Sequence, residues 1–301
     1  MRSSPSAVAV APAPAVTLLS DYKELLKPGI TAFVVVMAAS GYLLAATGPI
    51  DWLTLLGLMA GTALTGGGAA ALNHVAERRH DARMARTADR PLPSGRMGVA
   101  QAVVYAVGCV AFGALALAAT TNAITTGLAL ATVVLYVAVY TPLKRRTVHN
   151  TLVGAVPGAL PALGGAAAAT GALDAVGWAL FAILFLWQLP HFYALAWMLR
   201  ADYAQAGFRM LPTGERGVRQ LTAIVLVSAL LLLVAGILPA VVGQAGLVYL
   251  VGMAAVGTVF TIPAFSFVSE PTDERARRLL LASIVYVPAF FVLVVADFLL
   301  R

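Results

Sequence analysis

The chain has 301 residues, 60% of them hydrophobic and only 11% charged, with a mean hydropathy of +0.89, a composition too apolar for a water-soluble domain of this size. Its net charge of +7 and pI near 9.9 arise from lysines and arginines gathered between apolar runs, so they report membrane topology and anionic lipid and give no argument for a nucleic-acid partner. The class implied is an all-α polytopic membrane protein whose solvent is the lipid bilayer.

In chain order, residues 1–20 are small and proline-punctuated, with no unbroken apolar run, and read as a disordered tail rather than a signal peptide. Residues 21–301 read as a single nine-helix membrane domain. Apolar stretches of about twenty residues, the length that crosses the hydrocarbon, fall at 29–47, 52–74, 98–119, 123–141, 150–170, 175–199, 218–240, 245–268 and 278–299. The connections after the second, fourth, sixth and eighth stretches, with the segment before the first, hold every lysine and arginine except Arg301. The positive-inside rule then puts the amino terminus in the cytoplasm and the carboxyl terminus outside. Two of the basic connections, 75–97 and 200–217, are long, while the opposite connections are short, so function is expected at the cytoplasmic end. Cys109 is the only cysteine and lies within the third stretch, which excludes intrachain disulfides and reads as packing.

The end of the second stretch carries Asn73, Glu77 and Asp81. Steps of four turn an α-helix by about 40° each, so the three oxygen-bearing side chains share one face. Carboxylates at a membrane edge are costly and contribute little to topology, and Mg²⁺ takes oxygen ligands from one or two carboxylates plus phosphates, so this face reads as an ion site. Arg79, Arg83, Arg86 and Arg90 would lie roughly opposite the acids on a straight helix. Pro91 and Pro93 predict a break near them, and a break before Arg86 lets Arg86 and Arg90 fold back over the acids. A second basic patch follows the fourth stretch: Tyr140, Lys144, Arg145 and Arg146. It is either a topology anchor or a phosphate clamp, with lysine as a point charge and arginine as a fork. A third group, Gln188, Pro190, His191, Asp202 and Tyr203, ends the sixth stretch. In a continuous helix His191 and Asp202 share a face, with His191 about 16 Å deeper. His191 is either a satisfied structural hydrogen bonder or a contact to a polar or metal-bearing substrate. Gly66–Gly68 read as tight helix packing, whereas the glycine- and alanine-rich run 154–169 is read equally as close packing or as room for a bulky ligand.

Taken in order, these strings resemble the intramembrane aromatic prenyltransferase (UbiA) superfamily and, within it, the protohaem IX farnesyltransferase or haem O synthase family. Asn73-x-x-x-Glu77-x-x-x-Asp81 matches the first aspartate-rich motif, with Glu77 departing from the aspartate form. The strings from Asp81 through Met84, Arg86, Thr87, Arg90 and Pro91, from Tyr140 through Thr141, Lys144, Arg145 and Thr147, from Pro190 through Phe192, and from Asp202 through Tyr203, Gly207 and Met210 to Pro212 carry the haem-type resemblance. So does the last span with Ser283, Tyr286 and Pro288. Leu189 stands where the family usually has proline. The resemblance implies a helical bundle around a central cavity open to the cytoplasm, in a bacterial inner membrane, that transfers farnesyl from farnesyl diphosphate to the 2-vinyl group of haem B and adds water. It implies Mg²⁺ as cofactor, held by Asn73, Glu77, Asp81 and Asp202, with Lys144 assisting diphosphate departure. It also implies substrate contacts from Tyr140, Arg145, Tyr203, Arg86, Arg90 and His191, with the three arginines open to either diphosphate or haem propionates. Haem A synthase and terminal-oxidase assembly proteins are candidate partners. The rival readings are a superfamily enzyme for another aromatic acceptor and a non-enzymatic transporter or cofactor-assembly protein; a transporter should place polar groups near the midplane, and the outer half here has almost none.

Overall fold

A computed structural model describes residues 17–211 and 214–300. Helix α1 (Leu18–Leu25) starts at Thr17, whose hydroxyl accepts from the Ser20 N–H, and so takes in residues that the sequence pattern assigns to the tail. Residues 1–16 of that tail lie outside the described residues. Nine helices long and apolar enough to cross a membrane follow among the described residues: α2 (Pro28–Ala45), α3 (Trp52–Asp81), α4 (Val99–Thr120), α5 (Ala123–Val134) with its continuation, α7 (Asn150–Thr170), α8 (Ala175–Met198), α10 (Gly214–Val241), α11 (Leu247–Ser269) and α12 (Asp273–Leu300). The continuation of α5 is a π-helical segment, Leu135–Tyr140, and then a single turn, α6 (Thr141–Leu143); a short helix α9 (Arg200–Gln205) follows α8. All nine expected spans are present.

The bundle is built around α3, α7 and α8, of whose membrane-length windows 56%, 56% and 61% are buried, against 22% for α4 and 6% for α5. Large apolar side chains such as Val104, Phe112, Ile262, Phe265 and Val292 point outward and exposed, which is stable only where the solvent is lipid. Small residues set the closest helix approach: a methyl group on Gly41 or Gly165 would overlap the carbonyl oxygen of Ala162 or Ala38, so α2 and α7 pack backbone to backbone. A methyl group on Gly164, one residue away, would make only ordinary contact with Leu128 at 3.9 Å, and this glycine lines an apolar crevice of about 30 Å³ with Gly66, Thr65, Thr132 and Pro161. Of the two things considered for the run 154–169, the close packing is present at Gly165, while the crevice beside Gly164 has the volume of about one water and not of a bulky ligand. Gly68 meets the Ala106 carbonyl of α4, the tight packing expected of Gly66–Gly68, whereas Gly66 itself borders the crevice.

Three departures from the expected local structure shape one end of the bundle. The helix α3 runs seven residues past the predicted span and stops at Asp81, ten residues before Pro91. Proline does not end it. The Thr87 hydroxyl caps the Asp81 carbonyl at 2.7 Å, and Met84 is buried against Ala196, Ala206, Phe208 and Met210 from the 196–210 segment, so tertiary packing turns the chain. The π-helical segment answers Pro142, whose missing N–H and bulky ring cannot be accommodated over the preceding turn and which widens the hydrogen-bond register before it. Finally, α8 and α9 are not one helix: Leu199 departs to φ −99°, ψ 18°, so the face shared by His191 and Asp202 is interrupted.

Candidate active site

The last two turns of α3 carry the acids to the end of the bundle where 82–98, 144–149 and 199–211 converge. Asn73, Glu77 and Asp81 are 1%, 6% and 1% exposed, a burial that charged groups tolerate only when partnered. Each has a cationic partner from a different segment. Lys27, just before α2, donates to Asn73 Oδ1 at 2.8 Å. Lys144, just past α6, lies 3.0 Å from Glu77 Oε1 and donates to Oε2 at 3.2 Å. Arg90 folds back and donates to Asp81 Oδ2 at 2.8 Å. The fold-back expected for the arginine loop thus brings Arg90 to the stripe, while Arg86 stays exposed on the same loop.

The wall opposite the stripe comes from the end of α5 and the loop after α9. Thr141 and Lys144, three residues apart, meet Asn73 and Glu77, four apart, as two rungs between parallel helices. The Lys144 ammonium also lies 4.7 Å over the Tyr140 ring and 6.0 Å over Phe208, and its carbonyl accepts the Arg209 N–H at 2.7 Å, which ties the 200–211 segment to the site. Burial works against the charge on Lys144, but the Tyr140 hydroxyl and the Glu77 carboxylate hold its ammonium above the ordinary lysine range. Burial pushes Lys27 the other way, below that range. Burial also raises the Tyr203 hydroxyl, with Lys144, Arg86 and Arg90 pulling against it, and its ring packs edge-on to Phe208 at 6.1 Å.

Two expected members stand apart. Asp202 is half-buried on α9, and among the described residues no three His, Cys, Asp or Glu side chains converge, so it does not join Glu77 and Asp81 in a preformed metal cluster. The break at Leu199 is the physical reason, since it frees α9 from the direction of α8. Arg145 is exposed and points to His80, with Nη1 3.3 Å from the ring Nε2, rather than to the acids.

His191 sits deeper, in another wall. Its Nδ1 is 2.8 Å from Ser283 Oγ of α12, and Ser283 spends its own proton on the Leu280 carbonyl at 2.6 Å. The histidine must therefore donate from Nδ1, which leaves Nε2 as a lone-pair nitrogen. Its ring stacks on Trp187 at 5.0 Å, and Trp187 stacks on Phe33 at 5.1 Å, a flat aromatic surface between α2 and α8.

Two features are not legible in the sequence pattern. Lys27 reads there only as a topology charge. His74, one residue from Asn73, is 1% exposed with neither ring nitrogen hydrogen-bonded, and it lines a cavity of about 460 Å³ with Lys23, Lys27, Gly29 and Arg90. Its one signal is a histidine next to the acid stripe, and its position on α3 offers no periodicity to mark it.

Oxygen donors fit Mg²⁺ by type, and Asn73, Glu77 and Asp81 hold theirs together on one buried face of α3. The two carboxylates stand against three cations, so the stripe is positive overall and attracts an anion; a metal–diphosphate pair, negative in sum, would neutralise it. The donor set therefore fits the metal.

A lipid-embedded helical bundle with a buried, cation-guarded oxygen stripe at one end defines a multi-pass membrane enzyme of phosphorylated substrates. The chain belongs to the UbiA prenyltransferase family, whose model matches residues 33–294, and it is a prenyltransferase. It is 47% identical to the protoheme IX farnesyltransferase of Salinibacter ruber over 94% of this chain and 100% of that protein. Its fold is also that of a digeranylgeranylglyceryl phosphate synthase structure (TM-score 0.76, 17% identity, 94% of this chain and 99% of the other). A UbiA homolog from Archaeoglobus fulgidus bound to GPP and Mg²⁺ is similar too (TM-score 0.63, 17% identity, 92% and 100% covered).

Proposed function

We propose that this protein transfers the farnesyl group of farnesyl diphosphate to the 2-vinyl group of haem B, with addition of water, giving haem O and diphosphate. The observation that carries the substrate assignment is the likeness, over nearly the full length of both chains, to a protein named protoheme IX farnesyltransferase. The chemistry rests on the stripe. Diphosphate leaves poorly until its growing charge is met, and Mg²⁺ held by Asn73, Glu77 and Asp81, with Asp202 joining from α9, would supply that compensation. Lys144 and Arg90 sit on the same carboxylates, where their ammonium and guanidinium groups would be in place to meet phosphate oxygens. Lys27 and His74 line the adjoining cavity, where a diphosphate oxygen would meet the Lys27 ammonium as a further donor. Tyr203 closes the site from the 200–211 segment.

The departing allylic cation must meet the acceptor before bulk water does. Gly66 lies two turns from Asn73 on α3, about 10 Å deeper, and the apolar side chains around it, Val34 and Leu160 among them, would keep water from a prenyl chain running that way. The partly buried Phe33 ring, backed by Trp187, would offer a flat face to a porphyrin, and His191 Nε2 a lone pair for its iron or edge. Arg86 and Arg145 are exposed cations suited to carboxylates at the rim. The positive-inside charge pattern supports a site on the cytoplasmic side of the membrane.

Expression in a bacterial host deprived of its own haem-farnesylating enzyme tests this reading. Extracted pigment should contain haem O only when the chain is supplied. A host that makes the protein in its membrane and yet accumulates haem B alone would refute it.

A further inference from the structure

We propose that Thr141 is a positioning residue that fixes the Asn73 amide so that its oxygen, and not its nitrogen, faces the metal and diphosphate. The inference rests on the reading of Asn73 as a metal-side oxygen donor.

An asparagine amide can present either end, and only its partners decide which. Here both partners decide alike. The Lys27 ammonium can only donate, and it lies 2.8 Å from Asn73 Oδ1. On the other side Asn73 Nδ2 donates to Thr141 Oγ1 at 3.0 Å. The threonine hydroxyl has a single proton, and that proton is committed to the Tyr136 carbonyl at 2.8 Å, so Oγ1 can only accept. Asn73 and Thr141 are 1% and 2% exposed, which leaves water no access to take over either bond.

The backbone explains why this carbonyl is in reach. In the π-helical segment Leu135–Tyr140 the Thr141 N–H itself pairs with Tyr136, five residues back, and the hydroxyl shares the same acceptor. Pro142 enforces the widened turn. The segment also brings Lys144 onto Glu77 one turn further along, so a single local distortion aligns two rungs against the acid stripe. Removing one residue from it would rotate Thr141 by about 100° away from Asn73.

The test measures Mg²⁺-dependent binding of a non-hydrolysable farnesyl diphosphate analogue to the full chain in lipid nanodiscs by calorimetry, a readout independent of turnover. Residues that orient a metal ligand are worth about 10- to 100-fold in metal affinity. Thr141→Val should therefore raise the half-saturating Mg²⁺ concentration at least about tenfold, while Thr141→Ser, which keeps the hydroxyl, stays within about twofold of the wild type. In an Asn73→Asp background, which has no amide to misplace, Thr141→Val should add less than about a further twofold. Should Thr141→Val not fold, Thr141→Ala carries the same comparisons. The proposal is overturned if the valine or alanine variant binds like the wild type, if serine loses as much as valine, or if the loss persists undiminished in the Asn73→Asp background. Analogue binding by the wild type without any Mg²⁺ dependence would instead overturn the metal reading beneath it, and is seen before any variant is made.

Discussion

Glu77 and Lys144 show how one residue pair can be measured for stability and for chemistry separately. Both are largely buried, so removing one partner strands the other's charge in a poorly solvated place. Lys144→Met should lower stability by about 2 kcal/mol, seen as a lower unfolding midpoint in mild detergent, and adding Glu77→Gln should recover most of it. Turnover should not return in the double variant, because both groups are assigned to the diphosphate. Recovery of activity along with stability would mean that the pair only holds the fold. The acids themselves are legible from four-residue spacing. Their cations are not, for a general reason: Lys27 is 46 residues from Asn73 and Lys144 is 67 from Glu77, and sequence displays neither distance. The fold-back of Arg90 is legible from the prolines that follow it, although packing at Met84, and not proline, ends the helix. Asp202 is placed too firmly by spacing alone, since the face it shares with His191 requires a helix that Leu199 interrupts.

At the scale of elements, the nine spans are readable because apolar length is a property of composition, whereas the ends and defects are decided by contacts. Packing under Phe208 stops α3 at Asp81, and the widened turn before Pro142 depends on a proline position within a fourth span that otherwise looks regular. The α2–α7 contact gives the clearest element-level prediction. Gly165→Ala pushes a methyl group into the Ala38 backbone carbonyl, which cannot rotate away, and should cost about 1–3 kcal/mol. Gly164→Ala, one residue before it, has only Leu128 at 3.9 Å and should leave the unfolding midpoint within about a degree or two. Equal effects from the two would contradict backbone-to-backbone packing of these helices. At the far end of the bundle Asp297 of α12, 2% exposed, accepts the Gly246 N–H at 2.9 Å and caps the start of α11 from another helix. Sequence can mark Asp297 as a rare charge in an apolar span but not name what it caps.

For the whole molecule, charge asymmetry and site placement make one statement. The connections bearing basic residues converge on the acid stripe, joined by contacts such as Arg96 with Asp21 and Arg200 with Asp273, while the opposite connections are short. Alkaline phosphatase fused after residue 146 should be inactive and fused after residue 301 active, as expected for a cytoplasmic site and an external carboxyl terminus. The reverse pattern would invert the orientation. The reaction proposed for the molecule is Mg²⁺-dependent farnesylation at the α3 stripe. Purified protein in lipid nanodiscs, given haem B, farnesyl diphosphate and Mg²⁺, should form a product with the mass of haem plus farnesyl plus water, identified by mass spectrometry. Chelation should abolish it, and Asp81→Ala should reduce its rate by at least about a hundredfold. Undiminished product from Asp81→Ala, or transfer to another aromatic acceptor with none to haem B, would contradict the account.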